Sequence, residues 1–272
     1  MADVRETVDV LAFVVAIAAA AYSTWSPCGQ SMLSQLNPLA ERSRGQRYAV
    51  TATWFVIGAL AGGATLGAGM LVLALAVEAL GVSAGVAAGA AAIAALTGAA
   101  SDGRVLPWSP PFNRRQVNED WLPRYRGWLY GVGFGWQIGT GVATYVMTAA
   151  VFVMIALGAL TASPWVALAV ALTFALARGV AVLATARFST FDALAAFHRR
   201  FHTLGPVVQR AVIVTQVAVA LVAAFAAWGW IGLLVVVGVA GAGTLLSRMV
   251  RPDVDRAAPA RTRPEPVATA PR

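Results

Sequence analysis

The chain has one cysteine, Cys28, which follows Ser26 and Pro27 at the end of the first apolar stretch. A thiol forms a mixed disulfide with a partner when it is accessible and ionised. Pro27 breaks a helix because it removes a backbone donor, and irregular backbone in lipid is tolerated only where protein buries it or it lines a cavity. Together with Gly29 and the later Pro38, the motif predicts a catalytic thiol at a helix break. The alternative is a small buried apolar side chain.

Other polar side chains lie inside apolar segments. Arg178 is deep in the apolar segment 165–186, and an arginine at the centre of a membrane helix costs about 2.5–3.5 kcal/mol on insertion scales. Its guanidinium therefore either extends to the cytoplasmic surface or faces the bundle interior. In the interior it can bind carbonyl groups at helix ends, a thiolate or an anionic solute. Thr140 and Gln216 are further candidates for lining a path through the bundle.

The composition is that of a polytopic membrane protein in contact with the lipid bilayer. Of the 272 residues, 59% are hydrophobic and 12% are charged, with a mean hydropathy of +0.71, whereas soluble domains are about a quarter charged. The net charge of +8 comes from arginines that flank the apolar segments, as the positive-inside rule requires, so no nucleic acid is expected. His198 and His202 lack a carboxylate or cysteine beside them, so neither a metal nor a cofactor is expected.

The apolar segments predict an all-α bundle that positions these residues. The first span runs over 8–23, breaks at Trp25-Ser26-Pro27 and continues as a shorter piece over 32–39. It is expected to be retained as a membrane helix. About 20 residues cross a bilayer. The next spans are two helices within 48–100 that turn near 79–83, a long fourth span over 128–160, and a fifth over 165–186.

The arginine-rich loops predict the orientation of the chain. These loops are 41–47, 101–126 and 187–210, and the third is expected to form a helix at the membrane interface. All three are placed in the cytoplasm, with the amino terminus outside. The last apolar run, 211–247, splits at Trp228-Gly229-Trp230 into two spans, which gives seven spans and a cytoplasmic carboxy terminus. Six spans are the alternative, and residues 248–272 are expected to be disordered.

The segment Trp25-Ser26-Pro27-Cys28, followed by Pro38, resembles the first helix of the CcdA/DsbD-type cytochrome c biogenesis family of membrane thiol–disulfide carriers. The resemblance implies two inverted three-helix repeats, each beginning with a kinked helix that carries one cysteine. The cysteine pair of that family passes electrons from cytoplasmic thioredoxin to extracytoplasmic thiols. In this chain the membrane domain would cover 1–247, with repeats at about 8–100 and 127–227 and an extra helix at 231–247.

The second repeat departs from the family pattern. Gly135, Trp136, Gln137 and Gly139 stand where a Gly-Trp-Thr-Pro-Cys type of sequence is expected, without the proline and the cysteine. A single cysteine is more similar to a MauF-like branch of the family. One thiol cannot complete an internal relay, because a second thiol must resolve the mixed disulfide. A partner or a second copy of the chain in a homo-oligomer would supply it.

The fourth span also carries a glycine stripe. Small residues four apart predict close helix packing, with a flexible gate as the alternative. The stripe consists of Gly127, Gly131, Gly135 and Gly139.

The leading functional hypothesis is a multi-pass protein of the bacterial cytoplasmic membrane. It would assist the thiol redox state or the maturation of an extracytoplasmic partner protein through Cys28, with a thioredoxin-like or extracytoplasmic thiol protein as partner. If it is an enzyme, it resembles a membrane thiol–disulfide oxidoreductase without its second cysteine. The alternatives are a small-solute or ion transporter lined by Arg178, Gln137 and the glycine stripe, and a subunit that only anchors other membrane proteins.

Overall fold

The computed structural model describes residues 2–105 and 120–250, and within these ranges all regular elements are helices. In chain order the helices are α1 (Ala2–Ser23), α2 (Pro27–Gln35), α3 (Pro38–Ser43), α4 (Tyr48–Ala79), α5 (Ala84–Asp102), α6 (Trp121–Arg124), α7 (Gly127–Gly139), α8 (Ala150–Leu160), α9 (Pro164–Val180) and α10 (Phe191–Val250). A short 3-10 helix, Ala181–Thr185, continues α9. The predicted all-α architecture is confirmed. Most of the expected disordered tail lies outside the described residues.

Several of these helices are long and apolar enough to cross a membrane. By length and composition, four helices of the described part pass this test, and the bent pair α1 and α2 makes a fifth. The four are α4, α5, α9 with its 3-10 extension, and α10. The chain is therefore a multi-pass membrane helix bundle, as its composition predicts.

The first broken helix bends by 65° between α1 and α2. Pro27 takes the first helical position of α2, where an N–H group would have no helical partner in any case. Ser26 caps the helix, because its side chain accepts a hydrogen bond from the Gly29 N–H at 3.2 Å. A Cβ atom on Gly29 would collide with the carbonyl group of Thr24, so the glycine allows the break to pack tightly.

The chain after this break forms two helices where the sequence predicts one apolar piece. Asn37 separates α2 from α3, and its side chain accepts hydrogen bonds from the N–H groups of Leu39 and Ala40 at 3.1 and 3.0 Å. Pro38 occupies the first turn of α3. The shorter piece predicted over 32–39 is therefore divided between two helices, because an asparagine cap followed by a proline starts a new helix.

The expected fourth span is discontinuous. Helix α7 ends at Gly139 and α8 begins at Ala150, and residues 140–149 form no regular helix although most of them are buried. Helix α7 has 13 residues and α8 has 11, so neither crosses a bilayer alone. Non-helical backbone at membrane depth is tolerated only inside protein or along a cavity, and the burial of this segment meets that requirement.

The glycine stripe of α7 packs against α4. Cβ atoms on Gly135 and Gly139 would collide with the backbone of α4. The contact is reciprocal, because Cβ atoms on Gly58 and Gly62 of α4 would collide with the backbone of α7. Small residues thus let the two backbones approach closely, and close packing describes these glycines better than a gate.

Helix α10 breaks and reverses at Gly229. This residue has φ 61° and ψ −143°, a conformation that is open chiefly to glycine. Val217 before the break and Val239 after it line the same cavity, so the two parts of α10 lie side by side and antiparallel. The reversal falls at the expected Trp228-Gly229-Trp230 turn. The total of six or seven spans stays a prediction.

The two broken helices pack across the bundle. Helix α1 packs against α9 and α10, whereas α7 packs against α4 and α8 packs against α5. Helix α4 also packs on α9, and α5 packs on α10. The main apolar core therefore lies between helices from the first and second halves of the chain.

Candidate functional site

Cys28 is the second residue of α2, directly after the break. Its side chain is fully buried. It belongs to an apolar cluster between the break, α4 and α7, together with Met32, Phe55, Phe134 and Ile138. The amino end of a helix carries partial positive charge, so the backbone field at the thiol is positive.

Arg178 reaches the same break from α9, and its side chain is only 1% exposed. Its Nη1 donates a hydrogen bond to the Ile138 carbonyl oxygen at 2.8 Å. Its Nη2 donates to the Ser23 carbonyl oxygen at 3.4 Å and to Ser26 Oγ at 3.3 Å. Of the two orientations expected for Arg178, the one that faces the bundle interior is therefore observed.

Two helix ends meet at the Arg178 guanidinium. Ser23 is the last residue of α1, and Ile138 lies in the last turn of α7. Carbonyl groups at such ends carry partial negative charge, so the buried cation compensates both ends, in addition to the turn hydrogen bonds that these oxygens accept from the N–H groups of Ser26 and Gly141. The Nε of Arg178 has no hydrogen-bond partner, and no carboxylate of the described residues forms an ion pair with it.

An electrostatic interaction joins Arg178 to Cys28. Solvent screens this interaction little, because both groups are buried. Cys28 thus has two independent sources of positive field, the guanidinium and the amino end of α2. Reactive cysteines lie in such environments, at helix amino ends or beside arginine. Reactive cysteines are also partly exposed, so Cys28, which is fully buried, suits a nucleophile only once it is uncovered.

The predicted counterpart in the second repeat joins this site only in part. Gly139 directly follows Ile138, whose carbonyl group Arg178 binds. Gln137 donates a hydrogen bond within α7, and Trp136, which is 41% exposed, donates one to α4. The backbone of this segment therefore reaches the site, whereas the two polar side chains bond elsewhere.

Of the other two candidates for a path, Thr140 lies close in sequence to Ile138, which Arg178 binds, and Gln216 bonds to a different residue, Asp102. The Oγ1 of Thr140 donates to a backbone carbonyl at the end of α7, at 2.8 Å. The Nε2 of Gln216 donates to Asp102 Oδ2 at 2.8 Å. Arg178 and Asp102 hold opposite ends of the irregular segment 140–149, with Thr140 at the first end and Gln216 at the second.

Asp102 is a buried carboxylate that sequence reasoning missed. Its Oδ1 accepts a hydrogen bond from the Ala149 N–H at 2.7 Å, and its Oδ2 accepts from Thr148 Oγ1 at 2.6 Å and from Gln216. A carboxylate at the amino end of α8 is stabilised by the helix dipole. Asp102 falls in the loop 101–126 that is expected in the cytoplasm, although it follows the apolar run of α5 and precedes the first arginine, Arg104.

Glu41 is a second buried carboxylate from a segment expected to be a cytoplasmic loop. It accepts hydrogen bonds from the hydroxyl groups of Tyr130 and Thr51, and it pairs with Arg44 at 2.9 Å. These contacts join α3 to the first turns of α4 and α7. Because each carboxylate oxygen has a partner, the arrangement favours a structural role.

Comparison with known proteins gives three informative relatives. Methylamine utilization protein MauF of Paracoccus versutus is 30% identical over 173 residues, which cover 61% of this chain and 61% of the relative. The protein of the same name from Paracoccus denitrificans is 32% identical over 179 residues, with 63% and 62% covered. That from Methylophilus methylotrophus is 32% identical over 183 residues, with 62% and 58% covered.

These similarities are partial. The chain spans about three fifths of the length of the relatives it matches, with 61% and 62% of the two Paracoccus proteins covered. No protein-family model matches the chain. No solved structure matches it either.

Proposed function

We propose that this chain is a MauF-like membrane protein that keeps an extracytoplasmic partner protein reduced, or helps it to mature, by thiol–disulfide exchange at Cys28. The observation that carries the proposal is the convergence of Arg178 and the amino end of α2 on that thiol. The similarity to methylamine utilization proteins supports a role in the handling of another protein.

The positive field at Cys28 has a direct use in this chemistry. Reactive cysteines lie in electropositive sites that a partner can reach, and the Arg178 guanidinium and the amino end of α2 supply the positive field. The hydrogen bonds from Arg178 to two helix ends keep the guanidinium in place. Arg178 is thus a positioning and electrostatic group, and Cys28 is the nucleophile.

The exchange proceeds through an external resolving thiol. The Cys28 thiolate attacks a disulfide of the partner, forms an S–S bond to one sulfur and releases the other as a thiolate. A dithiol of a second, thioredoxin-like protein then attacks the Cys28 sulfur and releases the partner as a dithiol. The second thiol of that protein displaces Cys28 and closes a disulfide. Two electrons thus pass from the thioredoxin-like protein to the partner.

The packing of the broken helices supports two inverted three-helix repeats. Each broken helix packs against the second or third helix of the other half, as expected when a two-fold axis in the membrane plane relates the halves. In such proteins the functional groups lie at broken helices near the midplane. We place the chain in the bacterial cytoplasmic membrane with its amino terminus outside, on the strength of its arginine-rich loops.

Trapping on Cys28 tests the proposal. The full chain is expressed in cells that make the partner, and non-reducing electrophoresis separates any adduct. We expect a higher-mass species that a reductant removes and that Cys28→Ser abolishes. The matched control is Ala52→Cys in the Cys28→Ser background, because Ala52 is buried in the same apolar cluster.

The possible results of the trapping experiment distinguish thiol exchange at Cys28 from a function that does not use the thiol. An adduct with the native cysteine but not with the relocated one supports the exchange. If no adduct forms and Cys28→Ser keeps full function, the thiol has no part in the activity.

A small-solute or ion transporter is a second candidate, favoured by the discontinuous helix α7–α8. Its irregular segment carries Thr144, whose buried hydroxyl has no hydrogen-bond partner among residues 2–105 and 120–250, and such broken helices form the substrate sites of transporters. This function predicts that Arg178→Ala abolishes uptake into proteoliposomes while Cys28→Ser leaves it intact. Uptake that is lost with Cys28→Ser but kept with Arg178→Ala would exclude the transporter.

A further inference from the structure

The amino-terminal part of α10 covers the helix break that carries Cys28. Trp25, in the break itself, stacks on Phe201 of α10 with ring centroids 4.2 Å apart and an interplanar angle of 1°. The Nε1 of Trp25 also donates a hydrogen bond to the Phe201 carbonyl oxygen at 2.8 Å. One aromatic side chain of the break is therefore fixed to α10 by both its face and its edge.

Further contacts extend this cover along α2. Phe201 belongs to the same buried cluster as Cys28, and Phe197 packs against that cluster. The Oγ of Ser34, on α2, lies 3.5 Å from His198 Nε2. Residues 191–205 thus lie over the break and α2 together.

This part of α10 is bounded by two weak points. Residues 186–190, before it, form no regular helix. Pro206, after it, lies inside α10, where a proline removes one hydrogen bond of the helix and clashes with the preceding turn. A helical segment between an irregular link and a proline can change its angle without unfolding, because each end is a place where helices bend.

We propose that residues 191–205 of α10 form a lid over Cys28, which the Trp25–Phe201 contact holds closed. The inference rests on the proposed function for its purpose, since segment 187–210 is placed in the cytoplasm and an opening there would give the thioredoxin-like protein access to the thiol. In the closed form Cys28 is fully buried, and no sulfur of a partner can approach it. The break cannot open as easily from the side of α9, where Arg178 joins two helix ends.

The rate at which Cys28 reacts with a small maleimide tests the lid in the full chain in its membrane. Phe201→Ala removes the stacked ring, and aromatic contacts of this kind are strong enough for a rise of about tenfold in rate. Leu204→Ala is the matched control, because Leu204 lies on the same segment and is 44% exposed. We expect its rate to equal that of the unaltered chain.

Gly205→Ala is a second variant that keeps the aromatic pair. Its Cβ would lie 3.1 Å from Trp25 Cδ1, so it should wedge the lid away from the break and raise the rate by a few-fold. A general loosening of the whole bundle is measured as the rate of maleimide labelling at a second buried position. That position is Ala150→Cys in the Cys28→Ser background, because Ala150 is fully buried at the start of α8. Its labelling should not respond to Phe201→Ala.

Two results would contradict the proposal that residues 191–205 form a lid. One is an unchanged Cys28 rate in both variants, and the other is an equal rise at Ala150→Cys, which would mean that the whole bundle loosens. A response confined to Cys28 establishes the lid even if no partner is trapped on the thiol. Failure of the trapping experiment would then contradict the proposed function alone.

Discussion

Arg178 is a charge at membrane depth whose partners are backbone atoms and a thiol. Its hydrogen bonds go to the ends of α1 and α7 and to Ser26. Both carbonyl oxygens also accept a backbone N–H, from Ser26 and from Gly141. A hydrogen bond to a charged group adds about 1.5–3 kcal/mol, so the guanidinium stabilises the junction of the two breaks. The same charge acts on Cys28. One residue therefore links the stability of the site to its reactivity.

Arg178→Gln and Arg178→Lys separate these two roles. The glutamine can still donate hydrogen bonds but is neutral, and we expect Cys28 to react with iodoacetamide severalfold more slowly, because the electropositive surroundings of the sulfur are lost. The lysine keeps the charge and should keep most of the rate.

The rates are compared at one pH, in proteins whose thermal unfolding has been measured. Equal rates in the two variants would contradict an electrostatic effect of Arg178 on the thiol.

At the scale of elements, the breaks and the glycine contacts decide how the helices pack. Helices α4 and α7 approach so closely that a Cβ on Gly135 would collide with a carbonyl group of α4. Backbone cannot move aside as a flexible side chain can. The position of both broken helices therefore depends on residues that carry no side chain.

Gly135→Ala should lower the free energy of unfolding by about 1–3 kcal/mol, the usual cost of overpacking. The matched control is Gly69→Ala on α4, where an added Cβ would have no atom within 4 Å. We expect the control to be neutral or slightly stabilising, since alanine favours a helix more than glycine does. Thermal unfolding in detergent measures both variants, and equal losses would contradict the close contact of α4 and α7.

The sequence predicts the helix break between α1 and α2, but it does not predict the break between α7 and α8. Pro27 marks the first, because a proline inside an apolar run breaks a helix for a local reason. The second contains no proline between residues 140 and 149, and it depends on Asp102 from α5, which binds the amino end of α8. The hydropathy of the sequence places Asp102 in a loop, because hydropathy does not reveal which helix end a carboxylate will bind.

At the scale of the whole molecule, the chain is a bundle whose two halves pack through their broken helices. The composition and the apolar runs predict the helices and the membrane. The contacts of Arg178 with Ser23 and Ile138 could not be predicted from the sequence. Ser23 lies 155 positions from Arg178 in the chain, and Ile138 lies 40 positions from it. Local patterns carry no information about such pairs.

The reversal at Gly229 allows the number of spans to be tested. In the Cys28→Ser background, Trp230→Cys should react with a membrane-impermeant maleimide in intact cells if the chain has seven spans, because the turn then lies outside. Ser83→Cys, in the exposed turn before α5, is the control for the outer side. Ser43→Cys, exposed at the end of α3, should react only after permeabilisation.

Protection of Trp230→Cys together with labelling of Ser83→Cys would favour six spans. Labelling of Ser43→Cys in intact cells would instead contradict the orientation inferred from the arginine-rich loops.

The hydrogen bonds of Arg178 to two carbonyl oxygens have a consequence for how the sequence can change during evolution. Every amino acid supplies a carbonyl group, so changes of side chain at positions 23 and 138 leave both acceptors in place. Apart from the hydroxyl group of Ser26, the junction is encoded at position 178. We therefore expect no compensating pairs of substitutions between position 178 and positions 23 or 138, and methods that infer contacts from correlated changes should overlook this junction.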